Sequence, residues 1–409
     1  MVSAPHSNVH VDSIIRRSPR SARLGPMPIN PPLRDVTQPR EHTAASIRYN
    51  VNCLHVRWTS GEISAFPALW LRDNIASARH RDNGQRIFDA MDLAQDTAIG
   101  TANLDVNRQT VAVHFKPDAL NTEFDAVWLA RHALPPHISA APEPRVWDNT
   151  MNGRLFRANF ATLESNDDAL RDWLRAIRDD GVALLHGVPQ QPGQVCRAAE
   201  LIGYVRETNY GRLFDVVQEE QPDNLAFSNT GLGLHTDNPY RDPVPGLQFL
   251  HCLEASANGG ESLLSDGFRA ARELREEWPS DFATLTQHSV LFRYQAPGVD
   301  LQARAPLIET DEHQRIRAVR YNNRSIAPLD LPAVSVDRFY GAYRRFGQAL
   351  HAAAAVVSFS LQPGDLLVVD NQRVLHGRRG FSGGRRHLQG CYADQDTLLS
   401  RLRIMEKSA

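Results

Sequence analysis

The sequence predicts an α+β protein: an antiparallel barrel or jelly roll with flanking helices, preceded by a small β-rich domain. Three observations predict it. Short alternating segments separated by turns fill residues 46–135. Helical periodicity and short apolar runs mix through 150–409 without the regular βα alternation of a parallel sheet. Neither GxGxxG nor GxxxxGK[ST] occurs, which removes the usual signatures of dinucleotide and phosphate-loop folds.

Taken in order, residues 1–45 are rich in proline, arginine and serine and have little apolar period. Such a segment buries too little surface to offset its ordering entropy, so a disordered tail is expected. In 46–135, "SIRYNVNCLHVRWTSGEISAFPALWLRDN" alternates apolar and polar residues around Ser60-Gly61 and reads as a hairpin. "TVAVHFKP" reads as a further strand. No internal repeat is evident. "LPPHISAAPEPRVWD" places a linker at 136–149.

The larger region follows at 150–409. "SNDDALRDWLRAIRDDG" has a polar cap, apolar residues at helical spacing and a glycine stop at Gly181. "GVALLHGV" reads as a buried strand and "VDRFYGAYRRFGQALHAAAAV" as an amphipathic helix. "FSLQPGDLLVVDNQRVLHGRRGF" reads as strands joined by turns.

A formal net charge of −2 gives no electrostatic case for nucleic acid or an anionic membrane as partner. Cys53, Cys196, Cys252 and Cys391 are far apart and form no CxxC pair, which fits a reducing compartment. No apolar run reaches the roughly 18 residues of a membrane span, and no secretory-type apolar core stands near the N-terminus. A cytoplasmic protein is expected.

The chemistry concentrates in "GLGLHTDNPYRDPVPGLQFLHC". His235 and Asp237 stand at i and i+2, a spacing that aims both at one face of a strand. His376, at the end of an apolar strand pattern, is the candidate third ligand. Two imidazoles and one carboxylate leave coordination positions open, as non-heme Fe(II) requires. An HxD pair alone is also compatible with a surface His beside an Asp. After His376 comes "HGRRGFSGGRRHLQGCYAD". Its arginines are a basic loop or a carboxylate fork; Arg386, opening a strand-like stretch, best suits the fork. His186, His251 and His387 read as structural. A zinc hydrolase is the weaker use of the same ligands, because no HExxH is present.

Several stretches resemble one family in order: "WLRDN" (70–74), "NGQR" (83–86), "LHTDNPYRDPVPGLQFLHC" (234–252), "GGESLLSDGF" (259–268), "YNNRS" (321–325), "LHGRRGF" (375–381) and "RHLQGCYADQDTLLSRLRIM" (386–405). Residues 150–405 resemble the Fe(II)/2-oxoglutarate-dependent dioxygenases of the taurine dioxygenase type. More narrowly, 46–405 resembles the γ-butyrobetaine and trimethyllysine hydroxylases. The resemblance implies a double-stranded β-helix (a jelly roll) and the iron triad His235, Asp237 and His376. It implies 2-oxoglutarate gripped by Arg386 and lined by Asn224 and Leu250. O₂ is the other co-substrate; decarboxylation to succinate and CO₂ drives hydroxylation of an unactivated C–H. A homodimer is also implied.

The resemblance further implies an aromatic cage for a trimethylammonium head, at Tyr210, Phe214, Phe227 and Tyr392. Three departures stand out. The segment "NIASARHRDNGQR" lacks the cysteines of the family's structural zinc site, so no zinc is expected. Asn238 replaces a cage tyrosine, with Tyr240 two positions on. Arg324 stands beside Asn322 and Asn323, where the family holds the substrate carboxylate. An added guanidinium suits a more highly charged oxyanion. These features resemble the branch that hydroxylates 2-(trimethylammonio)ethylphosphonate next to phosphorus, with γ-butyrobetaine as the alternative substrate. A catalytically silent amine-binding homologue would have lost the triad.

Overall fold

The computed structural model of the chain describes residues 43–133, 144–217 and 228–408. The chain divides into two compact units, residues 1–142 and 143–409. The expected tail lies almost wholly outside the described residues, but Ala44 is already buried and opens a strand, so order begins before residue 46.

The first unit holds two three-stranded antiparallel meanders. One comprises Ala44–Tyr49, Cys53–Trp58 and Ile63–Pro67; the other Ala98–Asp105, Thr110–Lys116 and Asn121–Asp125. Gly61 closes the expected hairpin at φ +92°, a conformation that favours glycine. Each meander runs into a six-residue helix, Ala68–Asp73 and Ala126–Arg131. An internal repeat is therefore present, against expectation. Phe66, Ala68, Trp70 and Leu71 recur in order as Phe124, Ala126, Trp128 and Leu129. The trace is short because the strands share only an alternation, and alternation is satisfied by many residues. Leu54, Val56, Phe66 and Leu71 join Val111, Phe115, Phe124 and Leu129 in one core, with Trp70 and Trp128 against it at 5.5 Å between rings.

The second unit begins inside the expected linker. Residues 134–143 lie outside the described residues, but Trp147 is buried and its Nε1 donates to Asp180 O at 2.7 Å. Residues 144–149 thus belong to the folded unit. The helix Asp167–Asp180 forms as its sequence requires: Asn166 Oδ1 accepts from Ala169 N, and Gly181 ends it at φ +72°. Its buried stripe is Leu170, Trp173, Leu174 and Ile177. The second expected helix spans Ala333–His351.

Two sheets form the barrel. The major sheet runs, in spatial order, Phe214–Val217, Arg386–Ala393, Leu247–Ala255, Leu366–Asp370, Val182–His186 and Arg157–Asn159, with Val205–Arg206 paired to Arg386–Ala393. Only its last pair is parallel. The minor sheet runs Leu232–His235, Val374–Arg378, Ser262–Asp266 and Val357–Phe359, antiparallel throughout.

Alternation explains the unbroken apolar runs. Leu184, Leu367 and Val369 of the major sheet share one core with Leu264, Val357 and Val374 of the minor sheet. Their neighbours Leu185, Leu366 and Val368 face the other way, against Trp173, Leu174 and Ile177 of the helical layer. A strand buried on both faces reads as continuous hydrophobic sequence. Three residues of the major sheet, Gln248, Arg386 and Tyr392, carry hydrogen-bonding groups into the barrel, and the site is built there.

Candidate active site

His235 and His376 are register partners on adjacent strands of the minor sheet, and their rings lie 4.4 Å apart. His235 Nδ1 donates to Gly233 O at 2.8 Å, which turns Nε2 outward as the free lone pair. Asp237 Oδ1 lies 3.2 Å from His235 Nε2 and 3.8 Å from His376 Nε2. The donor atoms of all three residues fall within 4.8 Å of one another. This is a two-imidazole, one-carboxylate set on one side of a cavity, the chemistry that suits non-heme Fe(II).

Strand periodicity accounts for only part of this convergence. The strand ends at His235. Beyond it, Thr236 N donates to Tyr321 O, and Asn322 Nδ2 donates to Thr236 O. Asn371 Oδ1 accepts from Asp237 N at 2.7 Å, while its Nδ2 donates to Asp237 O at 3.0 Å. The carboxylate is therefore placed by side-chain amides from distant segments. Its Oδ2 accepts from Gln248 Nε2 and from Tyr392 Oη, the latter at 2.8 Å.

The electrostatics suit these three side chains to metal binding. Burial alone would raise the Asp237 carboxyl, but the His235 contact, His376 and the Tyr392 hydroxyl outweigh it and hold it below the usual range. Burial, with help from His235 and Arg324, lowers His376 to about 3, so its imidazole is neutral at pH 7 with a lone pair to give. Burial and the adjacent Asp237 push the Tyr392 hydroxyl upward, so it stays a donor.

A cavity of about 440 Å³ opens beside this cluster. Along Arg386–Ala393 the inward residues are Arg386, Leu388, Gly390 and Tyr392, so one strand carries an arginine at one end and an aromatic ring roughly 20 Å away at the other. At the arginine end, Arg386 is buried without a carboxylate partner among the described residues. Arg378 joins it, stacked on Phe381 at 4.8 Å, with Nη2 donating to Ser228 O and Thr230 O. Burial and Arg386 lower Arg378 to about 10. Leu250, Leu264, Leu367 and Leu388 also line the cavity.

At the aromatic end, Phe214 stacks on Tyr392 at 5.2 Å, and Tyr240 stacks on Tyr294 at 5.1 Å. Tyr210 lies within 6.1 Å of Phe214 and 6.0 Å of Tyr294, and its hydroxyl meets that of Tyr240 at 3.1 Å. Gly390 is required here: a Cβ on it would stand 2.5 Å from Phe214 Cζ. Asn238, at φ +52°, turns into the cavity with Oδ1 held by Tyr240 Oη and a buried Nδ2 that has no partner among the described residues.

The structure brings Tyr210, Phe214, Asn238, Tyr240, Leu250, Asn322, Arg324, Arg386 and Tyr392 to the same cavity as His235, Asp237 and His376. It does not bring Asn323, which is exposed and whose Oδ1 accepts from Tyr343 Oη. Asn322 lines the cavity, but its amide is already bonded to Thr236 O and Arg324 N. Asn224 and Phe227 lie outside the described residues. His251 is buried and is not among the residues lining the cavity, and His387 bonds Asp215. Sequence reasoning missed Gln248, Tyr294 and Asn371, and left Arg378 between a loop and a site. An amide or tyrosine alone in an apolar strand carries no motif; only the "QF" of an otherwise apolar "LQFLHC" marked Gln248 as out of place.

Comparison with known proteins places this geometry. Residues 46–130 match the γ-butyrobetaine hydroxylase-like N-terminal family. A γ-butyrobetaine dioxygenase from Pseudomonas sp. (strain AK-1) is 35% identical over 374 residues, 89% of this chain and 96% of that protein. A trimethyllysine dioxygenase from Meyerozyma guilliermondii is 26% identical, covering 89% of this chain and 96% of that one. Among solved structures, an asparagine oxygenase in complex with Fe(II), 2S,3S-3-hydroxyasparagine and succinate has a TM-score of 0.44 and 21% identity over 56% of this chain and 83% of its own. Residues 143–392, which carry every described residue of the cavity, match the taurine catabolism dioxygenase TauD, TfdA family; the chain belongs to that family and is an iron- and 2-oxoglutarate-dependent dioxygenase.

Proposed function

We propose that the chain hydroxylates a small trimethylammonium carboxylate of the γ-butyrobetaine kind, with His235, Asp237 and His376 holding Fe(II) and Arg386 holding 2-oxoglutarate. One observation carries the reading: Tyr210, Phe214, Tyr240, Tyr294 and Tyr392 gather beside the triad. A quaternary ammonium has no N–H to donate, so ring faces are its natural hosts. The naming of the relatives for γ-butyrobetaine and trimethyllysine supports the same substrate class.

Ferrous iron with 2-oxoglutarate and dioxygen supplies the oxidising power that converts C–H to C–OH, leaving succinate and CO₂. The chain does the rest. Arg386, with Arg378 beside it, offers two buried cations to a dicarboxylate. The leucines that line the cavity lower its polarity, which strengthens those charges. The aromatic end fixes the ammonium and thereby presents one carbon of the substrate to the triad.

A second reading rests on Arg324. Its guanidinium lines the cavity with no ion pair among the described residues, and the unpartnered Asn238 Nδ2 is buried nearby. Both suit a phosphonate in place of the carboxylate. The relatives favour the carboxylate. The deciding experiment incubates the protein with Fe(II), 2-oxoglutarate and one of three substrates: γ-butyrobetaine, trimethyllysine or 2-(trimethylammonio)ethylphosphonate. Mass spectrometry should find one added oxygen on γ-butyrobetaine at the highest kcat/KM. Preference for the phosphonate, abolished by Arg324→Ala, would install the second reading. No oxygen gained by any of the three would overturn both.

A further inference from the structure

We propose that Gln248 and Tyr392 act as positioning residues, a clamp that keeps Asp237 a one-oxygen metal donor and so keeps the co-substrate positions open. The proposal rests on the triad reading above.

The two residues come from different strands but stand opposite each other in the register of Leu247–Ala255 against Arg386–Ala393. Both point inward. Gln248 Nε2 and Tyr392 Oη converge on the same atom, Oδ2 of Asp237. Asp237 Oδ1 is left to face His235 Nε2 at 3.2 Å and His376 Nε2 at 3.8 Å. With Asn371 bonded to its N and O, Asp237 is held at both main-chain groups and at one carboxylate oxygen.

The orientation of the Gln248 amide points to the carboxylate as its purpose. Oε1 is buried with no partner among the described residues. Reversing the amide would set oxygen against the Asp237 oxygen, so the carboxylate alone selects this rotamer. A buried acceptor left unmatched costs free energy, and the bond to Oδ2 is what offsets it.

The functional consequence is a matter of counting. An ion held by His235, Asp237 and His376 through one atom each would keep positions open for the keto acid and dioxygen. A carboxylate swinging to give both oxygens would take one of them. Donors on Oδ2 oppose that swing, because they would have to be given up.

Tyr392 also walls the aromatic end, stacked on Phe214. Tyr392→Phe separates the two roles, since it keeps the ring and removes the donor. Gln248→Met keeps the length and removes the amide. The test titrates full-length apoprotein with Co(II), follows its absorption, and then titrates 2-oxoglutarate into the Co(II)-loaded protein without turnover. Each variant should change the Co(II) spectrum at saturation and weaken 2-oxoglutarate binding, by a factor on the order of the tenfold to hundredfold that losing an outer-shell partner costs in metal affinity. The double variant should lose more than either. A merely structural role would lower the melting temperature and leave the spectrum unmoved. Variants that match the wild type in spectrum and in 2-oxoglutarate affinity would overturn the clamp. A wild-type protein that takes up no Co(II) would overturn the triad reading, and the clamp with it.

Discussion

The two units bury different things. Among the described residues, the buried polar side chain of the first unit is Ser64, which accepts from Trp58 Nε1 at 2.8 Å; its core is otherwise apolar. The second unit buries His235, Asn238, Gln248, His376, Arg378 and Arg386, all at one cavity. It also buries Arg373 against Asp266, but that guanidinium is satisfied by the carboxylate and by main-chain oxygens of Asp179 and Arg145. Buried apolar surface is the ordinary means of stability. Buried polar groups are costly and have to be accounted for. In this chain, the buried polar groups gathered at the cavity mark the chemistry, and the fully paired Arg373 and Asp266 belong to the frame.

The sharpest way to break that contrast is at the triad. His376→Ala should lower turnover roughly a thousandfold while leaving the melting temperature of the metal-free protein near that of the wild type, because a ligand is lost and no packing layer is opened. Retention of turnover, measured as succinate formed, would remove His376 from the ion.

Next in size is a core substitution in the first unit. Phe66→Ala should destabilise that unit by about 3–5 kcal/mol, through lost burial and the cavity left behind. Calorimetry should show an earlier transition, while KM for 2-oxoglutarate stays at the wild-type value. A shift in KM would mean that the apolar unit contributes to the site, and the division of labour would fail.

The smallest effect concerns pH. His251 is buried, and burial lowers it to about 4 from its usual 6.5. As pH falls from 6.5 to 4 the unfolded chain takes up this proton first, so the stability His251 contributes is lost across that window. Asp370 opposes it: burial raises its carboxyl to about 6, so the folded state takes up that proton first and gains stability as pH falls from 6. The two offset each other. His251→Leu should unmask Asp370, and the variant should gain on the order of 2 kcal/mol relative to the wild type between pH 6.5 and pH 4. Parallel pH profiles of the two proteins would show that the fold leaves His251 at its usual pKa.

Much of the frame was legible because its signals are local. Asn166 and Gly181 bound a helix through their own hydrogen bonds and backbone angles. Gly61 closed a hairpin in the same way. The repeat in the first unit was overlooked because FxAxWL is short and its strands share only alternation. At the site, His235, Asp237 and Arg386 stood out as residue types out of keeping with their surroundings. Gln248, Asn371 and Tyr294 did not: a lone amide or tyrosine carries no motif, and Asn371 and Tyr294 pair with segments far off in the chain. Asn323 illustrates the converse: its neighbours in sequence face the cavity, and it faces Tyr343.

Residue chemistry alone established which atoms could bind an ion and a dicarboxylate, because two imidazoles, a carboxylate and a guanidinium fork have those affinities in any fold. Whether they meet was decided by strand register and by the amides of Asn322 and Asn371, which carry Asp237 past the end of its strand and back to face His376. Local propensity sets the direction of a side chain only within its own element. Convergence across elements depends on pairings between residues 86 or more positions apart, and those exist only once the barrel has closed.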